Sequence, residues 1–156
     1  MPNPSTKEAH KVSFLLEQDE EGYPPAQWEH LWASSAGPNR FVLDNTPFFV
    51  RGVSLGDLVL TEERDGLNLF RALVVPSGHS TLRVVLFDQG LRDRLRDALR
   101  EQGCASELSH LPNLLSIDVP PEIEIDPVLH MLRRGHHEGR WDYEEAAVRH
   151  ATDSSA

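Results

Sequence analysis

Two apolar runs, one from Leu58 to Thr61 and one from Leu67 to Val75, flank a charged turn that ends in Asp65-Gly66. Both turn residues tolerate the positive φ of a tight connection, so this pattern predicts a β-hairpin over Leu58 to Val75. A third apolar run, Leu82 to Phe87, follows the small polar connector Pro76-Ser77-Gly78-His79-Ser80-Thr81. Shorter β-prone runs precede the hairpin at Val12 to Leu16, Arg40 to Leu43 and Pro47 to Arg51, with Asp44-Asn45-Thr46 as the turn between the last two. Gln27 to Ala33 admits two readings. Trp28, Leu31 and Trp32 fall on one face of a short helical turn, or the segment is extended; the extended or irregular form is the one expected. About five short strands before Pro76 predict a small curled antiparallel sheet or partial barrel.

Beyond Ser77 the periodicity changes. Leu82 to Phe87 reads as a strand, and Leu91 to Gln102 as a helix with Leu91, Leu95, Ala98 and Leu99 on one stripe and Gly103 at its end. Leu114 to Val119 reads as a strand. Asp126 then caps a second helix that has Pro127 in its first turn and runs to Gly135. Tyr143 to His150 reads as a last helical stretch. The expected class is α+β, an N-terminal β-rich subdomain over 11–76 followed by a β-α-β-α subdomain over 77–150. The second subdomain resembles half of a ferredoxin-like sandwich, with a connection long enough for a parallel crossover. Residues 1–10 and 151–156 read as loose ends.

Charge narrows the function classes. The 156 residues carry 25 acidic and 15 basic side chains, a formal net charge of -10. The halves before and after Thr81 hold 11 acids with 6 bases and 14 acids with 9, so each stands at -5 and neither is basic. Phosphate neutralisation is a poor basis for binding by such a chain. A nucleic-acid-binding barrel would need a local cluster drawn from Arg40, Arg51, Arg71 and Arg83. One cysteine, Cys104, rules out an internal disulfide and fits a reducing compartment. Its setting, without a basic neighbour, is that of an inert thiol. No apolar leader or membrane-length run is present, so the expected location is cytoplasmic.

No spacing matches a phosphate-binding loop, a nucleophile elbow, a zinc motif or a calcium loop. His136, His137 and His130 lack the i, i+4 separation of helical metal pairs, and the first two are placed at or past a helix C-terminus, where cations are favoured. Neither a metal nor a cofactor is expected. The connector is the densest polar cluster. Its amides around Gly78, with Ser77, Ser80 and Thr81, either form an anion nest or simply turn the chain between two strands. Ser77 is better placed than Ser80 to meet His79, because neighbours in an extended chain point to opposite faces. Asp44 and Asp57 lie beside turns and read as turn-stabilising. Glu17, Asp19, Glu20 and Glu21 read as a solvated turn. Glu122, Glu124 and Asp126 alternate and form either a solvated edge or an acidic ridge for a basic partner. Trp28, Trp32 and Trp141 are core residues, or else, if Trp28 or Trp32 is exposed beside Phe48 or Phe49, a binding surface.

The order of several short motifs adds a resemblance. Glu29-His30-Leu31-Trp32-Ala33, Phe41-Val42-Leu43-Asp44-Asn45-Thr46-Pro47-Phe48, Gly56-Asp57 and Ser77-Gly78-His79-Ser80-Thr81-Leu82-Arg83 follow one another as in the bacterial family known as domain of unknown function 4265. The resemblance spans Lys11 to His150 and implies membership, without an activity or catalytic set to carry over.

These readings converge on a small cytosolic binding or regulatory protein without catalytic activity. It would engage a protein partner, in the manner of an immunity or inhibitor protein, or a small ligand in a crevice at the subdomain junction. Trp28, Glu29, Trp32, Asn45, Asp57, Ser77, Gly78, His79, Ser80 and Thr81 are the expected binding residues. The competing reading is a hydrolase or transferase for an anionic substrate. In it His79 is the base, Ser77 or Ser80 the nucleophile or anchor, and Glu29 or Asp57 the orienting group.

Overall fold

The computed structural model describes residues 9–152. The chain divides into two compact units, the first ending at Ser77 and the second beginning at Gly78. The expected terminal segments fall mostly outside the described residues, although His10 already belongs to the first strand.

The first unit is a closed five-stranded barrel of β1 (His10–Leu15), β2 (Trp28–Ser35), β3 (Arg40–Leu43), β4 (Leu58–Arg64) and β5 (Leu67–Val75). Successive strands pair antiparallel. With an odd number of alternating strands the first and last run the same way, so closure is through a parallel pair, Val12 opposite Asn68. Asp65 and Gly66 adopt φ of 53° and 80°, the two positive values a two-residue hairpin turn demands. Two register shifts between β4 and β5 bend that hairpin far enough to close the sheet. Val12, Phe14, Leu31, Ala33, Phe41, Leu43, Val53 and Val59 fill the interior.

The second unit runs β6 (Ser80–Leu86), α1 (Arg92–Glu101), β7 (Ala105–Leu108), β8 (Leu114–Val119), α2 (Asp126–His137) and β9 (Trp141–Ala147), with one 3-10 turn at Gln89–Leu91. Its sheet has the order β7-β8-β6-β9, every neighbouring pair antiparallel. Leu82, Val84, Leu86, Leu115, Ile117 and Val119 share one core with Leu95 and Leu99 of α1 and Val128, Leu129 and Leu132 of α2. Gly135 is dictated by contact, since a Cβ there would lie 2.0 Å from Trp141 Cζ2.

Several expectations are corrected. Pro47 to Arg51 is not a strand, because the amides of residues 48–50 are taken by the Glu29 carboxylate rather than by a neighbouring strand. Tyr143 to His150 is not helical. Its Glu- and Ala-rich composition favours a helix, but pairing with β6 over Trp141–Ala147 overrides that preference. The run Leu114–Val119 is not parallel to β6: β7, unmarked in the sequence, turns the chain back first, so that β8 lies antiparallel to β6. The parallel crossovers run instead from β6 through α1 to β7 and from β8 through α2 to β9. Ile125, not Asp126, is the N-cap of α2, with no side-chain cap. His136 and His137 sit in its last turn, at the helix C-terminus as expected. Glu122 lies in a turn, Glu124 in irregular backbone and Asp126 in α2, so the three do not share an extended edge, although all are exposed.

Candidate functional site

Strand β2 inverts the expected hydropathy. Glu29, Leu31 and Ala33 point inward, while Trp28, His30 and Trp32 point outward. Trp28 is 36% exposed and Trp32 48%. The Trp28 and His30 rings are nearly parallel at 7°, their centroids 6.3 Å apart. The antiparallel register sets Leu15 opposite Trp28, Ser13 opposite His30 and Lys11 opposite Trp32. Ser13 Oγ and His30 Nδ1 share a hydrogen bond of 2.7 Å, and Lys11 Nζ lies 4.6 Å from the centre of a Trp32 ring, a cation–π contact. Leu15 is also exposed. The outcome is an outward ladder of three aromatic rings along a strand. At its Trp28 end lies the β1–β2 connection, with exposed Glu17, Asp19, Glu20 and Glu21.

The polar residues of the barrel singled out by sequence serve its own backbone. Glu29, 7% exposed, accepts from the amides of Phe48 at 2.6 Å, Phe49 at 3.1 Å and Val50 at 2.8 Å. Asn45 Oδ1 accepts from Trp32 N at 2.8 Å. Buried Asp57 accepts from Ser54 N at 2.8 Å and Ser77 N at 2.9 Å, and Asp44 accepts from Ser34 Oγ. Ser77 Oγ donates to the Leu55 carbonyl at 2.6 Å. Glu29 and Asp57 are thus turn- and loop-holding groups.

In the second unit, His79 Nδ1 lies 2.7 Å from Asp118 Oδ1. A carboxylate only accepts, so Nδ1 carries the proton and the ring orientation is fixed. Burial pushes the Asp118 carboxyl above its ordinary pKa, and the His79 hydrogen bond pulls it partly back. Ser80 belongs to a separate cluster. Its Oγ accepts from Arg149 N at 2.8 Å and His150 N at 3.3 Å and lies 2.6 Å from His150 Nδ1. His150 Nε2 donates to the Pro120 carbonyl at 2.7 Å, and Ser80 Oγ, which already accepts from two amides, directs its own proton to Nδ1. With 0% exposure and its hydrogen-bonding capacity engaged, Ser80 pins the segment after β9. Thr81 is likewise buried on β6. Gly78 has φ of +89°, and a Cβ there would approach Pro121 Cγ to 3.2 Å. Arg149 Nη1 donates to the His79 carbonyl at 3.1 Å. Sequence reasoning missed Asp118, Arg149, His150, His30 and Lys11. The polar beats Ser116 and Asp118 within the apolar Leu114–Val119 run were the available signal for the first of these.

Burial pushes the Cys104 thiol up to about 11, which keeps it protonated near neutrality. Arg71 engages Glu62 at 2.6 Å, and buried Arg83 lies 3.4 Å from Glu144, so neither is available to the basic cluster a nucleic-acid barrel would need. Among the described residues no group of three or more His, Cys, Asp or Glu side chains is arranged to hold a metal ion. No helix among them is long and apolar enough to cross a membrane.

A small α+β chain with an outward aromatic ladder, a closed barrel and an antiparallel sheet backed by two helices is what these observations define. The chain belongs to the family described as Domain of unknown function (DUF4265), whose sequence profile matches residues 29–143. Its fold is similar to that of a hypothetical protein from Neisseria gonorrhoeae solved by crystallography, at a TM-score of 0.72 and 24% identity, covering 94% of this chain and 98% of that one. No curated protein matches the chain.

Proposed function

We propose that this is a cytosolic, non-catalytic binding protein with a regulatory role, which engages a basic segment of a protein partner through the outward face of β1 and β2. The observation that carries this reading is the exposure of Trp28 and Trp32 on the same face of one strand. Exposed indoles beside acidic side chains attract lysine and arginine, through the ring faces and through charge. Lys11 over Trp32 is an internal example of the same contact. The exposed Glu122, Glu124 and Asp126 supply a second acidic surface of the kind an immunity or inhibitor protein offers to a basic enzyme. On its β-α-β-β-α-β order, we also class the second unit as ferredoxin-like.

Affinity capture from an extract of the native host at about 150 mM salt tests the reading. The wild-type chain is expected to retain a discrete basic partner that the Trp28→Ala/Trp32→Ala variant loses while its melting temperature stays within about 2 °C of wild type. Equal capture by both proteins, or none by either, refutes it.

The His79–Asp118 pair favours one alternative, an acid–base enzyme acting on a small anionic substrate. Ser80 is withdrawn from that reading because its hydroxyl is buried and already bonded, so the attacking group would be water. Hydrolysis of phosphate and carboxylate esters that His79→Ala abolishes would support this alternative; turnover unaffected by that change removes it.

A further inference from the structure

We infer that the second unit carries a binding cleft for an amphipathic carboxylate, one acidic head on an apolar body, between α1 and the corner where α2 leads into β9. The cleft has a volume of about 310 Å³ and is floored by Leu95, Ala98, Met131 and Trp141, with Arg94 and Arg140 at its rim. The sequence creates it in two ways. Ala98 is the one small residue in the apolar stripe of α1, and Gly135 lets the Trp141 indole sit tight against α2. The indole is fastened there, Nε1 donating to the Leu132 carbonyl at 2.9 Å, so the floor is rigid before any ligand arrives.

Charge at the rim has the opposite sign to the chain as a whole. Glu138 is shared by Arg134 at 3.1 Å and Arg140 at 3.1 Å, and Arg94 forms no ion pair among the described residues. Of the two guanidinium groups at the rim, Arg140 is paired with Glu138 and Arg94 is not, in a protein of net charge -10. An apolar floor with a cationic rim matches an anion that has an apolar tail. At a water-sized 30 Å³ per group, the space holds a body of roughly ten heavy atoms. Guanidinium binds a carboxylate head through two parallel hydrogen bonds.

Octanoate is the probe, and the indole N–H resonance of Trp141 is the readout, which separates this site from the ladder of Trp28 and Trp32. Octanoate is expected to shift the Trp141 signal saturably, with a dissociation constant of roughly 0.1–1 mM. Octanol should bind about tenfold more weakly, Arg94→Gln should lose about fivefold, and Ala98→Phe, which fills the floor, should abolish the shift. Arg94 is exposed, so its variant keeps the test open even if Ala98→Phe fails to fold. No Trp141 shift at about 10 mM octanoate, equal binding of octanol, or shifts confined to Trp28 and Trp32 overturns the inference. None of these results depends on whether the ladder binds a protein.

Discussion

Replacing Glu29 by Gln changes almost no volume and removes one oxygen from a carboxylate that holds three backbone amides. Oε1 receives Phe49 and Val50, and Oε2 receives Phe48. A glutamine can keep its oxygen on the side of two amides only by turning its NH2 group towards the third, donor against donor. The Phe48 amide is then left without that acceptor, at about 1–3 kcal/mol. The remaining two bonds lose their charge assistance, which roughly halves them. The sum is about 3 kcal/mol for Glu29→Gln, and about 5 kcal/mol for Glu29→Ala, where all three acceptor contacts vanish. For a chain of this size the first figure lowers the melting temperature by about 10 °C. Urea titration followed by tryptophan fluorescence measures the total, and amide exchange locates it, with residues 48–50 expected to lose protection ahead of the β4–β5 hairpin. A Glu29→Gln variant within about 0.5 kcal/mol of wild type, with unchanged exchange at those amides, would show that the loop is held by something other than this carboxylate.

Gly135→Ala drives a methyl group into Trp141 and should cost about 3 kcal/mol, read from urea midpoints together with a changed near-ultraviolet signal from the displaced indole. Ser80→Ala deprives two amides and His150 of their common partner; about 2–3 kcal/mol and faster exchange at Arg149 and His150 are expected, and unchanged exchange would contradict the pinning role. Because burial raises the Asp118 pKa in the folded chain, folding favours its protonated form. That contribution is present below the ordinary carboxylate range and is lost as pH rises through the raised value. The stability of the wild type relative to Asp118→Asn should accordingly fall with rising pH across this window and then level off, as tested by urea midpoints from about pH 3 to about pH 7. A rising difference would reverse the assignment.

What could be read from the chain was local. Asp65-Gly66 announces a hairpin because its two backbone conformations are demanded by two adjacent residues. The Leu91–Gln102 stripe announces α1 because its period is that of a helix. β8 is an apolar run interrupted only by Ser116 and Asp118, and it coincides with the expected Leu114 to Val119. What could not be read depends on partners far along the chain. Residues 47–51 look like a strand until the Glu29 carboxylate, nineteen or more positions earlier, takes their amides. β9 looks like a helix until its pairing with β6, some sixty residues away, is known. The site shows the same division. Ser77, His79 and Ser80 are neighbours in sequence, yet Ser77 bonds to Leu55, His79 to Asp118 and Ser80 to His150. A dense polar motif is thus dispersed among three separate structural tasks.

That dispersal bears on where the proposed recognition would take place. Glu29, Asn45, Asp57, Ser77 and Ser80 hold backbone groups of their own chain, and each would leave an amide or carbonyl without that partner if diverted to a ligand. The indoles of β2 have no such duty. A strand position facing outward is served equally well by threonine or tyrosine, and nearly half of the Trp32 surface remains in water. Leaving roughly 100 Å² of apolar surface exposed forgoes about 2–3 kcal/mol that burial would supply. What the fold gains from these rings in return is confined to the Lys11 contact and the stack on His30, since β2 is already anchored inward by Glu29, Leu31 and Ala33. A partner that covers them gains that free energy instead, which makes the β2 ladder, rather than the serine- and histidine-rich connector, the surface of the barrel best suited to binding.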